Sequence, residues 1–512
     1  MKVNQLKAGA ILSYVSIALN AIIQLAYTPV MLSLLGQSEY GLFTLVSSVV
    51  SYLGLLTFGT NGAYLRFYFK EREEGGEEAT AKLNGTFLLI FSLLAAVALA
   101  AGVVMAANAG WVFGDKLTAV ELEKSKILLF LLAINLAITI VGSVFDSHIA
   151  AQEKFFFQRI LTILGYIFNP FVAIPLMLLG YGATGLVVAS LVVTLLKTAM
   201  NVGFCFGRLK MRFSFRASQR LLVKSIFAFS FFLFLNQIID QINWSVDSFL
   251  LGRFHGTGEV AIYGLASRIN QLYLAFSVAV SSVFAPRINR IVAHEKNPNE
   301  QLLALMVKVG RIQGLILFLL LMGLTLLGRP FLMWMGGNDA VYLRSYAVFL
   351  MLIIPVTLPL MQNLGIEIQR AKNKHQFRSI IYAIMAALNI VASIPLSKLF
   401  GSLGAAVGTA ASLLIGNGLI MNWYYHKHLQ LDMCVFWKSI LSLAKGLLLP
   451  MVYCLICAFT VDLFSPPTFV LVGVGLVAVY GFSMWKFGMN EEEKALCLGF
   501  VKKFKRGTKH DQ

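Results

Sequence analysis

The residues best placed to do chemistry are polar side chains set inside apolar stretches. Asn236, Asp240, Asn243 and Asp247 follow at i, i+4, i+7 and i+11, one face of a helix, and Gln237 and Gln241 widen that face. Asn20, Gln24 and Tyr27 repeat the spacing i, i+4, i+7 in an earlier stretch. An offset of 216 lays Asn20 on Asn236, Gln24 on Asp240 and Tyr27 on Asn243. Helix–helix hydrogen bonding needs only one or two such groups, so seven in matching register predict a hydrated cleft. Such a lining suits a polar cargo, whose groups must exchange water for side-chain donors and acceptors. Asp240 or Asp247 could also take up a proton or Na⁺ and couple an ion gradient to movement. The spacing does not choose between that role and plain hydration of the cleft.

Four cations form a second set, suited to an anionic group such as a phosphate. Arg66 and Arg287 correspond at an offset of 221 and close two apolar stretches. A guanidinium matches phosphate oxygens through paired hydrogen bonds, although ordinary anchoring at a membrane face would place arginines there too. Lys197 and Arg268 lie deeper, Lys197 about 15 Å from its nearer helix end at 1.5 Å per residue. Arg268 could instead be neutralised by Asp240 or Asp247. Enzyme and metal chemistry have weaker support. The five cysteines (Cys205, Cys434, Cys454, Cys457, Cys497) are scattered, and Cys454-x-x-Cys457 lies inside an apolar span without a second Cys/His pair. The seven histidines form no cluster in the sequence. No catalytic residue, metal centre or resident cofactor is expected, only a coupling ion, H⁺ or Na⁺.

The elements that must hold these residues are transmembrane helices. Of 512 residues, 58% are hydrophobic and 13% charged, about half the charge of a soluble domain. Windows of about 20 apolar residues fall near 11–35, 42–62, 85–107, 126–147, 159–180, 184–206 and 226–251. The second set lies near 261–284, 308–328, 344–364, 379–398, 404–424, 446–464 and 468–487. The first is too long for a signal-peptide core and lacks a small-residue cleavage site, so it is taken as span 1. The net charge of +18 would suggest nucleic acid in a soluble protein. Here Lys and Arg sort by side: 33 fall in alternate segments beginning with the N-tail, 7 in the others, and Lys197 and Arg268 within spans. That asymmetry predicts cytoplasmic N and C termini and accounts for the basicity without nucleic acid. The segment Lys70–Lys82, with five glutamates around two glycines, is expected to be a solvated, mobile loop. Arg208–Lys224, with six basic residues beside Phe213 and Phe215, suits an interfacial linker on anionic lipid, as does the tail around Lys502–Arg506.

The chain also repeats itself. Leu34-Leu35-Gly36 recurs as Leu250-Leu251-Gly252, and Tyr40-Gly41-Leu42 as Tyr263-Gly264-Leu265. Ala151, Lys154, Phe157 and Ile160 recur at offset 220, as do Asn169 and Ile174-Pro175-Leu176, while Gly182 and Gly185 recur at offset 219 as Gly401 and Gly404. Each half holds six spans. Because six is even, the halves share an orientation, a parallel repeat with its substrate site expected between them.

With these motifs in order, the chain resembles the Wzx-type polysaccharide flippases of the MOP superfamily, relatives of the MATE transporters. The resemblance rests on Pro29, Leu35-Gly36 and Tyr40-Gly41-Leu42, on Arg66-Phe67, on Ala151-x-x-Lys154-x-x-Phe157, and on Asp247-x-x-Leu250-Leu251-Gly252 followed by Tyr263-Gly264. It implies an all-α integral membrane protein of about fourteen transmembrane helices, two six-helix MATE-like lobes plus a C-terminal pair. The expected division is an N-terminal lobe 1–206, a basic linker 207–225, a C-terminal lobe 226–424, additional spans within 425–487 and a basic tail 488–512. The implied activity is transfer of an undecaprenyl-pyrophosphate-linked oligosaccharide from the cytoplasmic to the periplasmic leaflet of a bacterial inner membrane. Membrane lipids, a glycan polymerase and chain-length machinery are the implied partners. The main rival is a MATE-type exporter of drugs or metabolites, against which Lys197 and Arg268 argue. A membrane glycosyltransferase or polymerase would need large extramembrane loops for acid–base chemistry, and no connecting loop here exceeds about thirty residues.

Overall fold

The computed structural model describes residues 5–57, 60–215, 220–295, 297–374, 376–496 and 498. Residues 216–219 of the linker, His375, Cys497, His510 and the Lys502–Arg506 tail lie outside that description. Lipid offers the backbone no hydrogen-bonding partners, so an apolar chain satisfies its amides within helices. The described residues accordingly form helices and no strand.

In chain order these are α1 (Gln5–Leu53), α2 (Thr60–Ala107), α3 (Ala109–Phe113), α4 (Ala119–Ala151), α5 (Phe155–Leu176) and α6 (Gly182–Gly207). Then follow α7 (Arg220–His255), α8 (Thr257–Ser282), α9 (Ala285–His294), α10 (Pro298–Met335), α11 (Ser345–Met361) and α12 (Leu364–Ala371). The last are α13 (Gln376–Leu413), α14 (Met421–Lys427), α15 (Met433–Leu441), α16 (Ala444–Thr460) and α17 (Pro466–Ser483).

Nine stretches among the described residues are long and apolar enough to cross a membrane. Four of them run 43 to 53 residues, about twice one crossing. Each of those four contains a glycine at positive φ: Gly36, Gly76, Gly180 with Gly182, and Gly401. Large apolar side chains face outward along the helices, including Phe171 at 72% exposure and Phe459 at 86%. That pattern suits lipid as the surrounding medium.

The chain divides into two compact units. The first comprises Met1–Leu265, Met335–Asp339 and Ala386–Gly408, and the second Ala266–Trp334, Ala340–Met385 and Thr409–Gln512. In the first unit, Tyr64, Phe87 and Phe91 of α2 and Ile140 and Val144 of α4 build a core, joined by Cys205 of α6.

The duplication predicted from sequence reappears in backbone detail. The amides of Gln152, Glu153 and Lys154 bond to the carbonyls of His148, Ala150 and Ile149. Those of Lys372, Asn373 and Lys374 bond to Ile368, Arg370 and Gln369, the same pattern 220 residues on. Glu153 and Asn373 both adopt left-handed backbone (φ 55° and 54°), as do Lys210 and Gln430 (φ 50° and 56°). Phe157 stacks on Phe204 at 3.9 Å and Phe377 on Tyr424 at 4.2 Å, again at offset 220.

One connecting segment differs from expectation. Most of 70–82 is helical, broken only at Gly76. Its charges form i,i+4 pairs along the helix, Lys82–Glu78 at 2.9 Å and Lys70–Glu74 at 4.0 Å, and such pairs favour helix over loop. The strap Arg208–Phe215 packs along the helices at Phe213 and leaves Phe215 60% exposed. Ser214 N–H donates to Ala81 O (2.9 Å), and Phe213 packs against Phe145 and Phe206. In the second unit Arg311 of α10 is 5% exposed and spends all five of its donors. Two go to Glu493 (2.6 and 2.9 Å) and the others to Ser439 O, Ser442 Oγ and Gly488 O. This staple fixes α15, the end of the α17 segment and the chain beyond it onto α10.

Candidate functional site

Before its break at Gly36, α1 carries the first polar stripe on its sheltered side. Tyr27 is buried and Asn20 and Gln24 are half-buried, whereas Ile22 and Leu25, across the helix, are 63% and 40% exposed. A soluble helix has the opposite arrangement. The side chains of Asn236, Asp240 and Asn243 lie outside the described part of the structure, although α7 holds all three positions in register with Asp247. Asp247 is 2% exposed and accepts a hydrogen bond from Tyr263 (2.5 Å), the tyrosine of the repeated Tyr-Gly-Leu motif. Gln241 and Ser245 sit about 120–160° around α7 from Asp247, at 100° per residue. They bond to Ser51 in the second segment of α1, Ser245 at 3.3 Å. That back face of α7 is therefore committed to packing, and Gln241 does not widen the stripe.

The four candidate cations fall in different surroundings. Lys197 of α6 meets Asp146 of α4 at 3.3 Å, and Asn201 donates to the same carboxylate (3.0 Å). Arg66 is exposed near the start of α2. In the second unit, Arg268 is half-buried on α8, and Arg287 of α9 lines a cavity of about 480 Å³ with Lys308, Arg311, Asn490 and Glu492.

Sequence reasoning missed a polar cluster at the helix turns on the side with few Lys and Arg, all of it within the first unit. Gln37, just after the Gly36 break, donates to Gly258 O (3.1 Å). Ser38 and Thr257 both donate to one oxygen of Glu121 (2.6 Å each). Glu121 in turn completes the capping box of α4 with Thr118. Arg253 donates to the carbonyls of Trp111 (3.0 Å) and Val112 (3.2 Å). The repeated motifs allow this close approach. A Cβ on Gly41 would fall 2.0 Å from Thr257 O, one on Gly252 would fall 2.3 Å from a methyl of Leu45, and one on Gly264 would fall 3.0 Å from Thr44. The first helix turn of one half is thereby bonded to the corresponding turn of the other.

Two carboxylates anchor the same region in matching ways. Gly182 (φ 51°, ψ −132°) and Gly401 (φ 58°, ψ −136°) break the chain identically. A side chain would be strained there, and a Cβ would press on Glu39 or Glu259. The freed amides are taken by those glutamates: Ala183 N–H donates to Glu39 (2.7 Å) and Ser402 N–H to Glu259 (3.0 Å). Glu39 also pairs with Lys124. Glu39 and Glu259 stand 220 residues apart, so the repeat offset was the signal that could have found them. Sequence also missed a grouping of His426, Asp432 and Cys434. All three are exposed, with Asp432 capping α15 and His426 accepting from Met433 N–H, so the group is explained by local structure.

The polysaccharide biosynthesis protein family matches residues 6–292. A Shigella flexneri protein provisionally described as an O-antigen transporter is 22% identical over 402 residues, covering 76% of this chain and 90% of its own. Haloferax volcanii AglR, provisionally described as a flippase, is 24% identical over 213 residues, 41% of this chain and 44% of AglR. Among solved structures, the lipid II flippase MurJ in an inward closed conformation superposes with a TM-score of 0.73 at 17% identity, covering 93% of this chain and 98% of MurJ. An inward-facing MATE multidrug transporter of the MOP superfamily gives 0.64 at 13% identity, covering 81% and 99%. These relatives are transporters and flippases rather than enzymes. The chain belongs to the polysaccharide biosynthesis protein family and has a MurJ- and MATE-like fold.

Proposed function

We propose that the protein flips an undecaprenyl-pyrophosphate-linked oligosaccharide from the cytoplasmic to the outer leaflet of a bacterial inner membrane by alternating access. The observation that carries this reading is the inverted exposure of α1, with polar Asn20, Gln24 and Tyr27 inward and Ile22 and Leu25 outward. That is how a sugar path through lipid must be built. The family and the sequence relatives support the cargo. A MATE-type exporter is less favoured, because the family and the sequence relatives belong to polysaccharide biosynthesis and O-antigen transport, whereas MATE proteins share the fold at 13–16% identity.

In this reading the four breaks at positive-φ glycines separate successive helices. The end of α1 after Gly36 and the start of α2 before Gly76 form one span, so with α7 and α8 the protein has fourteen spans, in lobes 1–206 and 226–424 followed by the added pair, with both termini cytoplasmic. The Gln37–Gly258 and Glu121 cluster is the closed outer gate. Asn20, Gln24, Tyr27, Asn236, Asp240, Asn243 and Asp247 line the path, and Arg66, Lys197, Arg268 and Arg287 meet the pyrophosphate, Lys197 by leaving Asp146. Asp240 and Asp247 are the candidates for binding H⁺ or Na⁺, and a glycan polymerase with its chain-length machinery receives the product.

The test places single cysteines at Asn20 and Asn236 in a cysteine-free chain reconstituted with lipid-linked oligosaccharide. Water-soluble thiol reagents should modify both, and cargo should slow the reaction. Resistance of both positions in every condition would sink the path.

A further inference from the structure

At the far end of α4 from Glu121, about 45 Å along the helix, the first unit holds a cavity of about 520 Å³. That size lies within the range of roughly 300–1,000 Å³ for small-molecule sites. Its polar lining is built and buried. Asn84 Nδ2 donates to Arg212 O (2.9 Å), which fixes the amide so that Oδ1 accepts from Tyr64 OH (2.6 Å). Tyr64 has then given its proton, so at 2.8 Å it accepts from His148 Nδ1–H. The chain of bonds assigns the tautomer: Nε2 of neutral His148 is a bare acceptor. His148 is 3% exposed, lines the cavity, and its Nε2 has no hydrogen-bond partner among the described residues.

Beside it Tyr68 is 1% exposed, and its hydroxyl oxygen accepts from Gln152 (2.6 Å) and Arg72 (2.8 Å). Its own proton is therefore left to donate. Arg72, Arg208, Lys210 and Arg212 border the cavity against a single acid, Glu77.

The second half treats the equivalent place differently. Residue 372, the counterpart of Gln152, is a lysine whose Nζ donates to Leu429 O (3.2 Å) and to Asn299. Leu429 is the counterpart of Leu209, which lines the cavity of the first half. One repeat fills this place with its own cation, and the other keeps it open with cations at the rim.

The geometry points to a binding site in this cavity for a hydroxyl-bearing phosphate ester of the glycerol phosphate type, separate from the path for the translocated cargo. Anionic oxygens accept from Arg72 and Tyr68, while a ligand hydroxyl donates to His148 Nε2. The same chemistry is offered by an anionic lipid headgroup and by a soluble glycerol phosphate.

The full chain in nanodiscs of mixed phosphatidylglycerol and phosphatidylcholine, examined by native mass spectrometry, tests the site. The wild-type protein should retain phosphatidylglycerol at least tenfold over phosphatidylcholine. Gln152→Lys, which copies the second half's plug, and Arg72→Gln at an exposed position should each lower that preference at least threefold while the melting temperature holds. Should one variant fail to fold, the other still decides. A parallel titration with glycerol 3-phosphate in detergent separates the sources. Binding from solution at comparable affinity marks a metabolite site, whereas retention of the lipid alone marks a headgroup site. Equal retention of the two lipids with no glycerol phosphate binding, or preference unchanged in both folded variants, would overturn the proposal.

Discussion

Gly41→Ala should force open the outer gate proposed above. The added Cβ would lie 2.0 Å from the carbonyl oxygen of Thr257, where ordinary contact begins at 3.4 Å. The chain must therefore give by 1.4 Å, and the obstacle is backbone in the turn after α7, which cannot rotate aside. Overpacking of this kind costs about 1–3 kcal/mol. If the strain exists only in the shut state, the equilibrium moves toward opening by roughly 5- to 150-fold. Gly252→Ala is the internal control. Its Cβ would fall 2.3 to 3.0 Å from Cδ1, Cδ2 and Cγ of Leu45, side-chain atoms that can shift where the Thr257 backbone cannot, so the cost should be the smaller of the two. The assay is the rate at which a membrane-impermeant maleimide, added outside intact cells, modifies a cysteine at Asn20 in a cysteine-free chain. Gly41→Ala should raise that rate at least fivefold, and Gly252→Ala much less. Equal rates in both variants, with melting temperatures at the parental value, would refute the steric argument.

Loss of either clasp should destabilise the fold. Glu39→Gln and Glu259→Gln each weaken a charge-assisted hydrogen bond, about 1–3 kcal/mol in denaturant melts, with Glu39→Gln the larger because its Lys124 pair is lost too. Arg311→Ala strands a buried Glu493 and should cost about 3–5 kcal/mol, while Arg311→Met with Glu493→Met should recover most of it. A double variant no more stable than Arg311→Ala would count against a pairing role. The Lys197–Asp146 pair is half-exposed, so Lys197→Gln should change stability by no more than about 1 kcal/mol. If the lysine meets cargo, it should nevertheless lower flipping of lipid-linked oligosaccharide at least tenfold, and unaltered flipping removes it from the path.

The membrane-spanning helices and the duplication were legible because hydropathy and offset are properties of the chain read along its length. The glycines at 182 and 401 stood out as members of the repeat for the same reason. Partners were not legible. Glu39 sits beside a recognisable motif, yet the amide it caps is 144 residues away. Arg311 counted as one more basic residue at a helix end, although folding buries it among five acceptors. Phe213 stood out only as an apolar residue among basic neighbours, and its packing on Phe145 and Phe206 was not legible. In the 70–82 segment the glycines suggested a loop, but the surrounding Glu, Lys and Ala are strong helix formers and only Gly76 breaks the run.

The two glutamate clasps also have a mechanical consequence. Each ties the turn that follows one helix to the first amide of a helix far along the sequence, Glu39 to α6 and Glu259 to the last part of α13. Helical hairpins that a loop alone would leave to swing separately are thus pinned tip to tip, like slats held by a common pin. Bending of the fold during a transport cycle is left to points outside these two clasps.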